Sequence, residues 1–159
     1  MIWKELRQND EIFGHIGSIW RHEQSLPAWF VSSSSIWTST EDDFRAFAAD
    51  CQEIHGLFDG ERLTACIYVE KQQDARVMAI HLSVLGAIDT DVLTTQLTKL
   101  RNAVLHRGVK YIRGWTLRRN FALVRIMAAC GFRKTNFIMD HGTARGRVLR
   151  WELMEVSAA

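Results

Sequence analysis

The chain has 159 residues, 47% hydrophobic and 24% charged, with a formal net charge of +2 and a single proline, Pro27. That is about one domain's worth, long enough to bury a core without metal or disulfide staples, and the composition excludes wholesale disorder and a Pro-rich tail. The small net charge conceals an asymmetry. Residues 1–80 hold 7 Lys/Arg against 13 Asp/Glu, and residues 81–159 hold 13 against 5. This points either to an anionic partner for the second half, a nucleotide cofactor or nucleic acid, or to two solvated faces that attract each other.

Cys51, Cys66 and Cys130 lie far apart and form no CxxC or Cys/His ligand spacing. They read as free thiols in a reducing compartment, so a cytoplasmic location is expected. Lys4, Glu5, Arg7 and Asp10 stand where a signal peptide needs an apolar run. The most apolar stretch, Val77 to Ile88, is 12 residues, too short to span a bilayer.

Residues 2–6 read as a short strand. Asn9 or Asp10 can cap a following helix in which Ile12, Ile16, Ile19 and Glu23 share one face, the last being the one polar member. Pro27 ends it. The serine-rich stretch to Ser39 carries Trp29, Phe30 and Trp37 and reads as a loop whose aromatics line a site or cover the core edge. Ser32–Ser35 lacks the context of a hydrolase nucleophile. Thr40 and Asp43 have the form of a capping box for a second helix with Phe44, Phe47, Ala48 and Cys51 inward. Asp59-Gly60 predicts a hairpin turn between strands at about 54–58 and 62–70. A third strand covers about 75–85.

Asp89 to Asp91 can open a helix with Leu93, Leu97, Leu100 and Val104 on one face, closed by Gly108. A strand follows at Tyr111–Leu117. Asn120 then opens a short helix whose face is read as Phe121, Val124, Met127 and Ala128, closed by Gly131. Two last strands cover about 133–140 and 147–156. The expected fold class is mixed α/β, in the order β-α-α-β-β-β-α-β-α-β-β.

That order, with Asn120 and Gly131-Phe132 where they stand, resembles the GCN5-related N-acetyltransferase (GNAT) superfamily. From the strand end at Val84 the intervals to Gly108, Asn120 and Gly131 are 24, 12 and 11 residues, close to those of typical members. The resemblance covers residues 54–156 well and the N-terminal strand and helices, expected on the acceptor side, more loosely; the whole chain reads as one domain. It implies a mostly antiparallel mixed sheet flanked by helices. Strands at 80–85 and 111–116 would be parallel neighbours that diverge at their C-terminal ends, joined by a right-handed crossover.

The resemblance further implies acetyl-CoA (coenzyme A) as cosubstrate and an amine, on a small molecule or a protein, as acceptor. The pantetheine arm would pair with the backbone of Leu82, Ser83 and Val84 as an added strand does. The pyrophosphate would sit at the helix start near Gly86 and Asp91. Arg118, Arg119 and Asn120 stand at the end of the other cleft strand, where the arginines suit nucleotide phosphates.

Three departures follow. The family's Gln/Arg-x-x-Gly-x-Gly/Ala loop is missing: Gly86 to Leu93 reads GAIDTDVL, and Asp89 and Asp91 put negative charge at the phosphate position. The family's general-acid tyrosine is replaced by Met127, whose thioether cannot protonate a thiolate. No Glu marks the catalytic strand, where His81 is the titratable residue and the candidate general base. Weak coenzyme A binding is therefore expected.

His15 and His22 share a helix face but lack carboxylate or cysteine partners, so no metal is expected. Arg145, Arg147 and Arg150 cluster near the last hairpin without a nucleic-acid motif, and nucleic acid is not the expected partner. Nor is a membrane; the oligomeric state stays open, a dimer included. Two readings remain. One is an acyl-CoA-dependent N-acyltransferase. The other is a non-catalytic chain that keeps the fold as a binding or assembly component, of the kind a virus encodes.

Overall fold

Thr40 begins a helix as its sequence suggests. Its hydroxyl accepts from the Asp43 amide at 3.1 Å, and the Asp43 carboxylate accepts from the Thr40 amide at 3.2 Å. The computed structural model describes residues 1–6, 12–26, 40–142 and 148–158. The elements are β1 Ile2–Glu5, α1 Phe13–Ser25, α2 Glu41–Asp50, β2 Glu53–Asp59, β3 Arg62–Lys71, β4 Val77–Val84, α3 Thr90–His106, β5 Tyr111–Leu117, α4 Phe121–Ala129, β6 Arg133–Gly142 and β7 Val148–Ser157. Asn9, Asp10, Pro27, Trp29, Phe30, Ser32–Ser35, Trp37, Arg145 and Arg147 lie outside the described residues. Thr40→Ala is expected to cost about 1 kcal/mol by stranding the Asp43 amide that the Thr40 hydroxyl caps. A thermal midpoint lower by roughly 2–4 °C would report it.

The seven strands form one sheet in the order β1-β2-β3-β4-β5-β7-β6, antiparallel except where β4 runs parallel to β5. Both faces of its centre are covered, which is why β3 reads as an unbroken apolar run rather than an alternation. Ala65, Ile67 and Val69 of β3, with Ile80 and Leu82 of β4, pack under α3 and α4. Cys66 and Tyr68 turn the other way, against Ile12, Ile16 and Ile19 of the α1 region and Phe44 and Ala48 of α2. The α3 stripe of Leu93, Leu97, Leu100 and Val104 is buried as its spacing predicts. Each such side chain contributes about 1.5–3 kcal/mol by leaving water.

Two local expectations are corrected. In the β2–β3 hairpin Asp59 pairs with Arg62, so the loop is Gly60-Glu61 and not Asp59-Gly60. Only Gly60 has a positive φ, +61°, as expected for a turn with glycine at its first central position. On α4, Phe121 and Ala128 are exposed; of the expected face Val124 and Met127 pack inward, together with Leu123 and Ile126, continued by Cys130. The four-residue spacing 123–127 and the three-residue spacing 123–126 describe that stripe; a face drawn through Phe121 starts one position out of phase.

Candidate active site

The site follows from where β4 and β5 part. They pair at Val77–Tyr111, Met78–Ile112 and Ala79–Arg113, and no further. Beyond that point β4 runs on to Val84 beside β3, while β5 runs on to Leu117 beside β7. Gly114 stands at the first separated position of β5. A Cβ there would meet the Met127 methyl at 2.9 Å and the Ile80 carbonyl oxygen at 3.4 Å, so a larger residue would have to displace the end of the Met127 side chain.

The backbone polarity of the gap can be read from the β3 ladder. The Leu85 amide donates to the Thr64 carbonyl at 2.8 Å, and Ser83 stands opposite Cys66. Antiparallel pairing alternates, so residues 81, 83 and 85 spend their N–H and C=O groups on β3. Leu82 and Val84 turn theirs towards the space that β5 has left. Of the three backbone positions expected to meet a pantetheine arm, Ser83 is thus committed to β3.

A cavity of about 380 Å³ opens beside this gap. Leu82, Val84, Gly86, Ile88 and Thr90 line it from β4 and the start of α3, Asn120, Ala122, Leu123 and Ile126 from the other side, and His22 and Glu23 of α1 with Leu26 just after it. Its size suits a small ligand or one arm of a larger one. Asn120 also holds α4: its side-chain oxygen accepts from the Leu123 amide at 3.2 Å.

The phosphate end differs. The Asp89 carboxylate accepts from the Asp91 amide at 2.9 Å and the Val92 amide at 3.2 Å. Two donors that a helix start offers to an anion are thus already engaged by the chain's own negative charge. Asp91 is exposed and does not line the cavity. Arg118 and Arg119 are also exposed and away from it, with Arg118 leaning towards Glu152 at 3.9 Å. The cation that reaches the loop is Arg62, whose guanidinium a Cβ on Gly86 would meet at 3.2 Å. Nothing in the local sequence marks Arg62, because the β2–β3 hairpin carries it there.

His81 turns to the α1/α2 layer. Its ring is edge-on to Phe47 at 5.0 Å, and Nε2 lies 2.9 Å from the Glu70 carboxylate, with the side chain 2% exposed. It does not line the larger cavity, but it borders a small pocket in the gap itself, with Ile80 and Leu82 of β4 and Gly114 and Thr116 of β5. Met127 is buried against the Gly114 backbone and faces the core.

The cysteines offer no nucleophile. Burial raises all three thiols, Cys66 to about 12, so they stay protonated near neutrality. Burial also pushes the Tyr68 phenol well above its ordinary value, with Cys66 and the Glu23 carboxylate adding to the effect. The Tyr68 and Ser83 hydroxyls adjoin each other, yet neither completes a well-aligned hydrogen bond among the described residues. No group of three or more His, Cys, Asp or Glu side chains suited to a metal occurs among the described residues. Arg150 pairs with Asp140 at 3.2 Å. No helix among the described residues is long and apolar enough to cross a membrane.

The parallel pair that splays inside an otherwise antiparallel sheet defines the fold of the GNAT acetyltransferases, and solved structures share it along nearly the whole chain. Ribosomal-protein-alanine N-acetyltransferase of Brucella melitensis superposes with a TM-score of 0.76 at 11% identity, covering 99% of each chain. A GNAT-family acetyltransferase of Streptococcus pneumoniae gives 0.71 at 14%, covering 98% of each. YncA of Salmonella typhimurium, whose structure holds its cofactor acetyl-CoA, gives 0.74 at 18%, covering 99% of this chain and 94% of that one. At these identities the likeness is one of fold. No family sequence model matches the chain, and no curated protein matches it in sequence.

Proposed function

We propose that the chain is an acyl-CoA-dependent N-acyltransferase that transfers an acetyl group to an amine. The observation that carries this reading is the gap beyond Ala79–Arg113, with the Leu82 and Val84 backbone groups turned into it beside an apolar cavity. An acyl-pantetheine arm has the matching chemistry: amides that pair with strand backbone and an alkyl stem for the apolar wall. Acetyl-CoA would supply the thioester; Leu82 and Val84 would align its arm, Asn120 and Leu123 would wall it, and Arg62 would face its phosphates. Holding donor and acceptor in one cavity supplies the proximity that the reaction needs.

The Asp89 carboxylate on the α3 amides favours a second reading, a non-catalytic chain that keeps the fold for binding or assembly. Calorimetry with acetyl-CoA separates the two. Asp89→Asn keeps a good helix cap while removing a charge from the phosphate end. It is expected to tighten acetyl-CoA binding about fivefold, the equivalent of about 1 kcal/mol at a helix N-terminus. Asp89→Asn with Asp91→Asn should tighten it further and reduce its sensitivity to salt. Absence of binding in wild type and in the double variant would remove the acyltransferase reading.

A further inference from the structure

Arg62 is a cation without a counter-ion where two cavities meet. Arg76, Arg107, Arg113 and Arg150 each hold a carboxylate, whereas no ion pair or hydrogen bond engages the Arg62 guanidinium among the described residues. It stands beside Gly86, which lines the larger cavity, and it lines a second cavity of about 330 Å³. Leu85, the neighbour of Gly86, lines this second cavity, and His22 lines both. The slot along Leu82 and Val84 therefore continues past Gly86 into a second chamber.

The far wall of that chamber is α1. His15, Ser18 and His22 recur at helical spacing and all line it. The two histidines are about 10 Å apart along the helix axis. That is too far to ligate one ion, and it suits a ligand with several polar groups. Imidazole, hydroxyl and guanidinium all donate hydrogen bonds to phosphate oxygens, and the guanidinium does so as a two-pronged fork. Glu61, exposed on the hairpin loop, is the one acidic group among the described lining residues. At the start of α3 the Asp91 and Val92 amides are already engaged by the Asp89 carboxylate. A ligand leaving the slot at Gly86 thus meets negative charge ahead and Arg62 to its side.

We infer that the second cavity holds the phosphate-bearing nucleotide end of acyl-CoA, with Arg62 as its principal phosphate ligand and His15, Ser18 and His22 along its wall. The β2–β3 hairpin and α1 then replace the helix start as the anion site of this chain. The identity of the ligand rests on the acyltransferase reading; the anion site does not. A phosphate ester on an acceptor has the same chemistry, and the probes separate the two sources.

Calorimetry with adenosine 3′,5′-bisphosphate, which lacks the pantetheine arm, should show binding to wild type that weakens about tenfold in Arg62→Ala. Acetyl-CoA should lose as much. Arg62→Lys should fall between, since an ammonium keeps the charge and loses the fork. His15→Ala removes a residue that lines only the second cavity, and it should weaken both ligands about threefold. S-acetylpantetheine, which has no nucleotide, should bind wild type, Arg62→Ala and His15→Ala alike. Glu61→Gln should tighten the bisphosphate and reduce the penalty of its binding at low salt. Arg62 is exposed, so its replacement should leave the thermal midpoint unchanged. Arg62-dependent binding of the bisphosphate without binding of acetyl-CoA would keep the anion site and remove the transferase reading. Acetyl-CoA binding that Arg62→Ala leaves unchanged would keep the transferase reading and overturn the inference. Tighter Arg62-dependent binding of O-phosphoethanolamine than of the bisphosphate would also overturn it, by assigning the cavity to an acceptor's phosphate. Absence of bisphosphate binding to wild type overturns it as well.

Discussion

Val84→Pro is expected to weaken acetyl-CoA binding about 10–100-fold while leaving the thermal midpoint nearly unchanged. The Val84 amide faces the gap left by β5, so a proline there removes no ladder bond. Ser83, which precedes it, is already extended in β4, as the residue before a proline prefers to be. What is lost is one donor to the pantetheine arm, whose acceptor is then left buried without a partner, at a cost of about 1–3 kcal/mol. Val84→Ala keeps the amide and trims the side chain, and it should lose much less. Calorimetry on the two variants separates backbone recognition from apolar contact. Equal affinities for wild type and Val84→Pro would mean that no strand-like pairing occurs at this edge.

Phe44→Ala carries the largest expected effect on stability. Phe44 is 1% exposed, with its ring 5.9 Å from Trp20, 6.0 Å from Phe47 and 5.8 Å from Tyr68. It fastens α2 to α1 and to β3 at once, and removing a buried aromatic of this kind costs about 3–5 kcal/mol. At roughly 2–4 °C per kcal/mol for a chain of this size, the thermal midpoint should fall by about 6–20 °C. The loss reaches β4, because Phe47 packs on both Phe44 and His81. A change in midpoint below about 2 °C, the least expected from even 1 kcal/mol, would show that this layer closes over the lost ring.

The helical and strand periods, the Thr40–Asp43 box and the Asn120 cap were legible from residues alone, because each depends on neighbours within four positions along the chain. The interval pattern from Val84 to Gly131 carried the fold likeness for the same reason: element lengths constrain the way a sheet can close. The family resemblance placed Leu82, Val84, Gly86 and Asn120 at a cofactor cleft, and all four line the cavity.

Side-chain direction across layers was decided by the tertiary structure. His81 sits on the cleft strand, yet alternation turns it to α2, where Phe47 and Glu70 enclose it. Arg118 and Arg119 follow β5 directly, yet both project into solvent. Arg62 comes to the Gly86 loop only because a hairpin folds back over it. Glu23 looked like the polar end of an apolar stripe; α1 lying against β4 makes it the carboxylate of a cavity. Local spacing determines which residues share a face. What that face meets depends on segments distant in the chain, as Glu23 is from Leu82 and Arg62 from Gly86, brought together only by burial of the common core.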